Sequence, residues 1–213
     1  MKGVSMAAWL ILIGLFLPAG QAAGQAGTAT DAVRAMLDEV MTIQNDPKLE
    51  GLQSRGARRD LIKKVIIKNF DFDDMAKDTL EPQEWAALGP GQRSEFSTLF
   101  QDLFVDSYSR LVLDFLKKEK IEYRGQEPDQ GRTVVKTVIS RADNRIPVDY
   151  LSTPRVGRDG WSVRDVTIDG VSIVANYRRS FSRVIRQESY SGLLKRMRIQ
   201  QKAARSEEPK AKP

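Results

Sequence analysis

Apolar positions recur at helical spacing through the first half of the chain and alternate with polar ones through the third quarter. Val33, Met36, Leu37 and Val40 mark one face of a first helix, with Thr28 or Thr30 as its cap and Asn45-Asp46-Pro47 as its stop. A second helix covers about Gly56 to Asn69, with Leu61, Ile62, Val65 and Ile66 as its apolar side. Asp71 to Met75 opens a short third helix, its acids placed where the helix dipole favours them. Glu81-Pro82 starts another short turn carrying Trp85 and Leu88. After the break at Gly89-Pro90-Gly91 comes the longest helix, to about Leu116. Phe96, Leu99, Phe100, Leu103, Phe104, Ser107, Leu111 and Phe115 form its broad apolar face.

The period then shortens to two. Strands read over Lys120–Gln126, Arg132–Arg141, Arg145–Ser152 and Trp161–Val166, separated by turns at Glu127–Gly131, Ala142–Asn144 and Arg158–Gly160. Val135, Thr137 and Ile139 share one face of the second strand, and Ile146, Val148 and Tyr150 share the inner face of the third. Asp169-Gly170 breaks the fourth. Beyond it, Ile173, Val174, Tyr177, Phe181, Val184 and Ile185 return to helical spacing behind Ser172, an expected N-cap. A last helix follows Ser191-Gly192. The order helices, antiparallel meander, helices predicts an α+β fold: a curved sheet of about four strands covered on one face by helices.

The amino terminus changes this picture. Lys2, the apolar run Ala7–Leu17, the break at Pro18 and the small residues after it read as a signal peptide over residues 1–26. The run is too short to span a bilayer. One folded domain is then expected over residues 27–202 and a disordered charged tail over residues 203–213. A chain of 213 residues buries roughly 70% of its unfolded surface without needing a staple. The net charge of +6 is uneven: Arg178 to Pro213 carries 11 basic and 3 acidic residues, whereas Gly27 to Tyr177 carries 22 basic and 25 acidic.

There is no cysteine and no histidine, which excludes a Ser-His-Asp triad, a cysteine nucleophile and the usual Cys/His metal sites. No phosphate loop is present, and Gly170-Val171-Ser172-Ile173-Val174 matches a nucleophile elbow only at its start. Asp71, Asp73, Asp74 and Asp78 lack the spacing of a calcium loop and read as helix caps. Neither metal nor cofactor is expected. Several Tyr and Trp residues on the inner faces suggest either a pocket with a wet mouth or a core with many internal hydrogen bonds.

Spaced motifs sharpen the choice. Gly160-Trp161, Asp165-Val166, Gly170-Val171-Ser172, Asn176-Tyr177-Arg178 and Phe181 resemble the signature of the MlaC-type phospholipid-transport substrate-binding family, also described as toluene-tolerance proteins. So do Phe70-Asp71-Phe72, Met75-Ala76, Trp85, Gln92-Arg93, Phe96, Phe100 and Tyr108 upstream. The resemblance runs from about Thr28 to Lys202. It implies a nuclear-transport-factor-like fold enclosing an apolar cavity. It also implies a periplasmic carrier that passes phospholipid between an outer-membrane lipoprotein complex and an inner-membrane ABC transporter complex.

On that reading the lipid-binding residues expected are Leu103, Tyr108, Leu111, Val135, Ile139, Val148, Tyr150, Trp161, Val171, Val174, Tyr177 and Phe181. Arg178, Lys195, Arg196 and Arg198 are expected to meet a partner or the headgroup. Related members handle hopanoids, so a hopanoid-type ligand is one alternative. An enzyme using Asp165 or Asp149 as a buried base is a second, and a protein with a filled core a third. Export leaves no role with nucleic acid.

Overall fold

Thr28, Asp71 and Ser172 each begin a helix with a side chain that takes up a free N–H of its first turn. The computed structural model describes residues 27–141, 144–157 and 160–206. The expected signal peptide lies outside these, as do the tail beyond Ser206 and part of the turns expected at Ala142–Asn144 and Arg158–Gly160. Thr28 and Asp31 form a reciprocal capping box at the head of α1 (Ala29–Gln44). Asp71 accepts from Asp74 N to start α3 (Phe72–Asp78), which follows α2 (Arg55–Asn69). A five-residue α4 (Pro82–Ala86) leads to α5 (Pro90–Phe115). Both have proline in their first turn, where its missing N–H costs nothing.

The sheet comprises β1 (Lys120–Asp129), β2 (Arg132–Arg141), β3 (Asn144–Pro154), β4 (Trp161–Ile168) and β5 (Val171–Ser172), antiparallel in chain order. It has one more strand than expected. Asp169 and Gly170, with φ of 49° and 76°, make a two-residue turn that folds the chain back as β5 before α6 (Ile173–Glu188) begins. The turn expected at Glu127–Gly131 shrinks to Gln130-Gly131, also at positive φ, and the strand continues through Pro128. Proline fits there because β1 is an edge strand and its far side needs no donor.

Two bulges bend the sheet. Arg124 is the extra residue in β1 and Arg164 in β4, where Val163 faces Ser152 and Asp165 faces Leu151. The bulge at Arg164 shifts the alternation: Val163 and Val166 both turn inward, and Arg164 points out to pair with Asp74 and Asp78, each at 3.1 Å. The chain closes with α7 (Tyr190–Ser206), which runs past the expected boundary at residue 202 because Ala203-Ala204 continues the helix.

The long helix α5 serves two environments. Its first half carries Phe96 and Phe100 into a solid aromatic cluster with Trp85, Tyr177, Phe181 and Tyr190, at centroid distances of 5.2 to 6.4 Å. Its second half faces the sheet. On α2 Ile62, Val65 and Ile66 are buried as expected, while Leu61 is exposed and Arg59 is buried. Arg59 donates to Ser109 Oγ at 3.2 Å and Asp106 Oδ1 at 3.3 Å, tying α2 to α5 through a buried ion pair.

These two environments predict unequal tolerance. Phe100 is fully buried against Phe72, Phe104 and Tyr177, so Phe100→Ala is expected to cost about 3–5 kcal/mol. The thermal midpoint then falls on the order of 10 °C. Phe115→Ala, at a half-exposed position on the same helix, is expected to cost under about 1 kcal/mol. Equal losses in thermal denaturation would contradict the division of α5.

Candidate functional site

Between the inner sheet face and the second half of α5 the side chains do not meet. They enclose a cavity of about 290 Å³. The sheet contributes Ile139, Ile146, Val148, Tyr150, Val166 and Ile168. The register places them in rungs, Ile139 beside Ile146, Tyr150 beside Val166, and Val148 beside Ile168. Met36, Leu37 and Val40 of α1, Val65 and Ile66 of α2, and Phe70 form another wall. The roof is α5, with Phe104, Tyr108, Leu111, Val112 and Phe115, followed by Leu116, while Ile173 comes from the start of α6. Its most exposed lining residues, Leu111 at 37% and Phe115 at 49% on the last turns of α5 and Arg141 at the end of β2, mark its mouth.

Nineteen of its twenty lining residues are apolar or aromatic, and the other is Arg141 at the mouth. An engineered apolar cavity of about 150 Å³ in another protein stays dry and takes up small hydrocarbons. This one is roughly twice that size and is lined in the same way. Two phenols reach it. Burial pushes the hydroxyls of Tyr108 and Tyr150 well above the usual tyrosine range, so both stay neutral at any physiological pH.

The expected lipid-binding residues divide into two groups. Tyr108, Leu111, Ile139, Val148 and Tyr150 line the cavity. Leu103, Val135 and Val174 are buried in the surrounding packing and lie outside the lining. Tyr177 and Phe181 belong to the aromatic cluster on the far half of α5. Trp161 donates from Nε1 to Gly27 O at 2.8 Å and so pins the start of α1. Val171 sits on the two-residue β5 and is 54% exposed.

Much of the motif-rich stretch thus builds the scaffold. Asp165 shows how. Its carboxylate accepts from Val166 N at 2.8 Å, Val174 N at 3.1 Å and Ser172 Oγ at 2.5 Å, so that one side chain ties β4 to the N-terminus of α6. Its partners are backbone amides and a hydroxyl rather than a cation. Asp165 does not line the cavity, nor does Asp149, which lies opposite Lys136 in the ladder. The acidic run on α3 caps its helix at Asp71 and pairs with Arg164 through Asp74 and Asp78. Among the described residues no three His, Cys, Asp or Glu side chains come together to hold a metal.

None of the four expected headgroup or partner cations reaches the cavity. Arg178 donates to Asp78 O at 2.7 Å, closing the end of α3. Arg196 pairs with Glu188 and Arg198 with Glu95, while Lys195 is exposed on α7. Missing from the expected site were the walls from α1 and α2, Phe70, Arg141, the sheet residues Ile146, Val166 and Ile168, Ile173 of α6, and Phe104, Val112, Phe115 and Leu116 on or just after α5. The stripes on α1 and α2 are visible in the sequence, but nothing in a stripe separates a cavity wall from a filled core.

Comparison with known proteins bears on this arrangement. A family model described as MlaC protein matches residues 34–199. The chain belongs to the MlaC family. The matched span begins inside α1, ends inside α7, and contains the whole cavity lining. No curated protein matches. Among solved structures, a phospholipid-binding protein from Ralstonia solanacearum, in complex with a phospholipid, superposes with a TM-score of 0.70 at 21% identity. The alignment covers 84% of this chain and 99% of that one. At that identity the likeness speaks for the fold, which this MlaC-family chain shares. No helix among the described residues is long and apolar enough to cross a membrane.

The Asp165 cradle makes a pH prediction. Burial raises its carboxyl above the ordinary 3.8, against three hydrogen bonds that pull the other way. The folded state therefore holds the proton more tightly than the unfolded chain. Its contribution to stability is full below pH 3.8 and declines as pH rises through the folded value. Carboxyl NMR titration is expected to place Asp165 above 3.8, and Asp165→Asn is expected to flatten that decline in urea denaturation. An Asp165 titrating below 3.8 would reverse the sign.

Proposed function

We propose that the protein is a periplasmic lipid carrier that holds phospholipid acyl chains in its apolar cavity and moves lipid between the two membranes for an ABC transport system. One observation carries the reading: an open cavity of about 290 Å³ whose wall is apolar apart from one arginine at its mouth. Removing an acyl chain from water contributes roughly 0.8 kcal/mol for each CH₂. A long chain is therefore bound strongly by any dry apolar space that fits it, and no catalytic group is needed.

Family membership supports the same reading, and so does the phospholipid held by the structurally similar Ralstonia protein. Lipid held this way does not leave spontaneously at a useful rate. Delivery calls for partners that bind the emptied form better than the loaded one and so shift the population toward release. An outer-membrane lipoprotein complex and an inner-membrane ABC transporter complex are the partners that the reading requires.

Lipid extraction from purified protein, followed by mass spectrometry, tests the proposal: phospholipid is expected at near-stoichiometric amounts, and protein free of lipid would count against it. The site is then tested by two substitutions. Ile146 is a half-buried cavity residue, and Ile146→Glu places a carboxylate among the chains at a cost of several kcal/mol unless it neutralises. This variant is expected to fold and to purify with far less lipid. Val171→Glu, exposed and outside the cavity, is expected to keep a full load. The opposite pattern would move the binding site away from the cavity.

A further inference from the structure

Arg141 ends β2 at the mouth of the cavity and is the one charged residue in its lining. Its guanidinium carbon lies 4.8 Å from the centre of the Phe115 ring, and its side chain is 46% exposed. Nε stands 3.6 Å from Glu119 Oε1, near enough for charge attraction and too far for a hydrogen bond. Glu119 is held from its own side, since Oε2 accepts from Lys118 N at 2.9 Å and also from Lys117 N. The guanidinium, with five N–H donors in a planar fork, thus makes no hydrogen bond among the described residues.

That fork fits a phosphate. Two parallel N–H···O bonds to one oxyanion are the geometry in which arginine exceeds lysine. Position matters as much as chemistry. A glycerophospholipid carries its phosphodiester where the apolar chains end and water begins. In this protein the same boundary is the mouth of the cavity, marked by Leu111, Phe115 and Arg141. Phe115 packs against the guanidinium, which nonetheless stays about half exposed.

We propose that Arg141 is the headgroup site: it leaves its loose pairing with Glu119 and binds the phosphodiester of the lipid whose chains fill the cavity. This rests on the carrier reading and adds a selection rule to it. The protein prefers a phosphodiester lipid over a neutral diacylglycerol with the same chains. Glu119 competes with the phosphate for the same guanidinium and so weakens binding.

The test offers delipidated protein an equal mixture of dioleoylphosphatidylglycerol and dioleoylglycerol and reads the bound ratio by native mass spectrometry. Arg141→Gln is expected to lower the ratio of phospholipid to diacylglycerol about tenfold, the difference between a charge-assisted and a neutral hydrogen bond. Arg141→Lys, which keeps the charge and loses the fork, is expected to fall between. Glu119→Gln is expected to raise the ratio, and because it acts in the opposite direction, misfolding cannot imitate it. An unchanged ratio in Arg141→Gln and Glu119→Gln overturns the proposal while leaving the carrier intact. Wild-type protein that takes up neither lipid removes the carrier reading and this inference with it. If inorganic phosphate alone binds and Arg141→Gln abolishes that binding while the lipid ratio stays the same, the site belongs to free phosphate and the headgroup assignment falls.

Discussion

Everything in this structure depends on keeping a space open where hydrophobic side chains would otherwise close. Apolar walls that face empty space forfeit the dispersion contacts that a filled core would give them, and about 290 Å³ of such space is a standing cost to the fold. The space survives because its borders are braced from outside. The first half of α5 is locked by the aromatic cluster of Phe96, Phe100, Tyr177 and Phe181. Its last turn is held by Gln44, whose amide donates to Val112 O at 3.0 Å, Leu113 O at 3.3 Å and Leu116 O at 2.7 Å. Fixed at both ends, a helix of 26 residues spans the gap.

The sheet side is braced in the same manner. The bulge at Arg164 bends β4, and the arginine it ejects is held by Asp74 and Asp78 of α3. Asp165, next in the chain, is turned toward Ser172 and the first turn of α6. One bulge therefore sends two neighbouring charged residues to two different helices. The apolar residues on either side, Val163 and Val166, are left on the inner face. Around the cavity, polar contacts at the perimeter thus add to the hydrophobic packing that holds the rest of the core.

The sequence made the order of elements and the apolar faces legible, because both are local: capping residues, breaks and periodicity lie within a few positions of one another. It also pointed to an α+β fold and to family membership. The two-residue β5 was missed because it is shorter than any periodic signal. The cavity was half legible. Ile139, Val148 and Tyr150 follow from strand alternation and Tyr108 and Leu111 from the α5 stripe, yet Val174, Tyr177 and Phe181 carry an equally strong stripe and pack elsewhere. Whether a stripe faces a void or another stripe depends on distances between elements, which no single element encodes. Arg141 was hidden for the same reason, being one of several arginines at strand ends until the fold places it at the rim.

The central claim is that the open space is a ligand's place and not a packing fault. Differential scanning calorimetry of loaded and delipidated protein tests it directly. A ligand that binds only the folded state adds about 2.7 kcal/mol at a hundred times Kd, and filling the cavity restores contacts that its walls lack when empty. At roughly 2–4 °C for each kcal/mol, the loaded protein is expected to melt several degrees above the delipidated one. Added phospholipid should restore the higher midpoint in a concentration-dependent way. One midpoint for both forms, with delipidation verified and no lipid rebinding, would contradict the account.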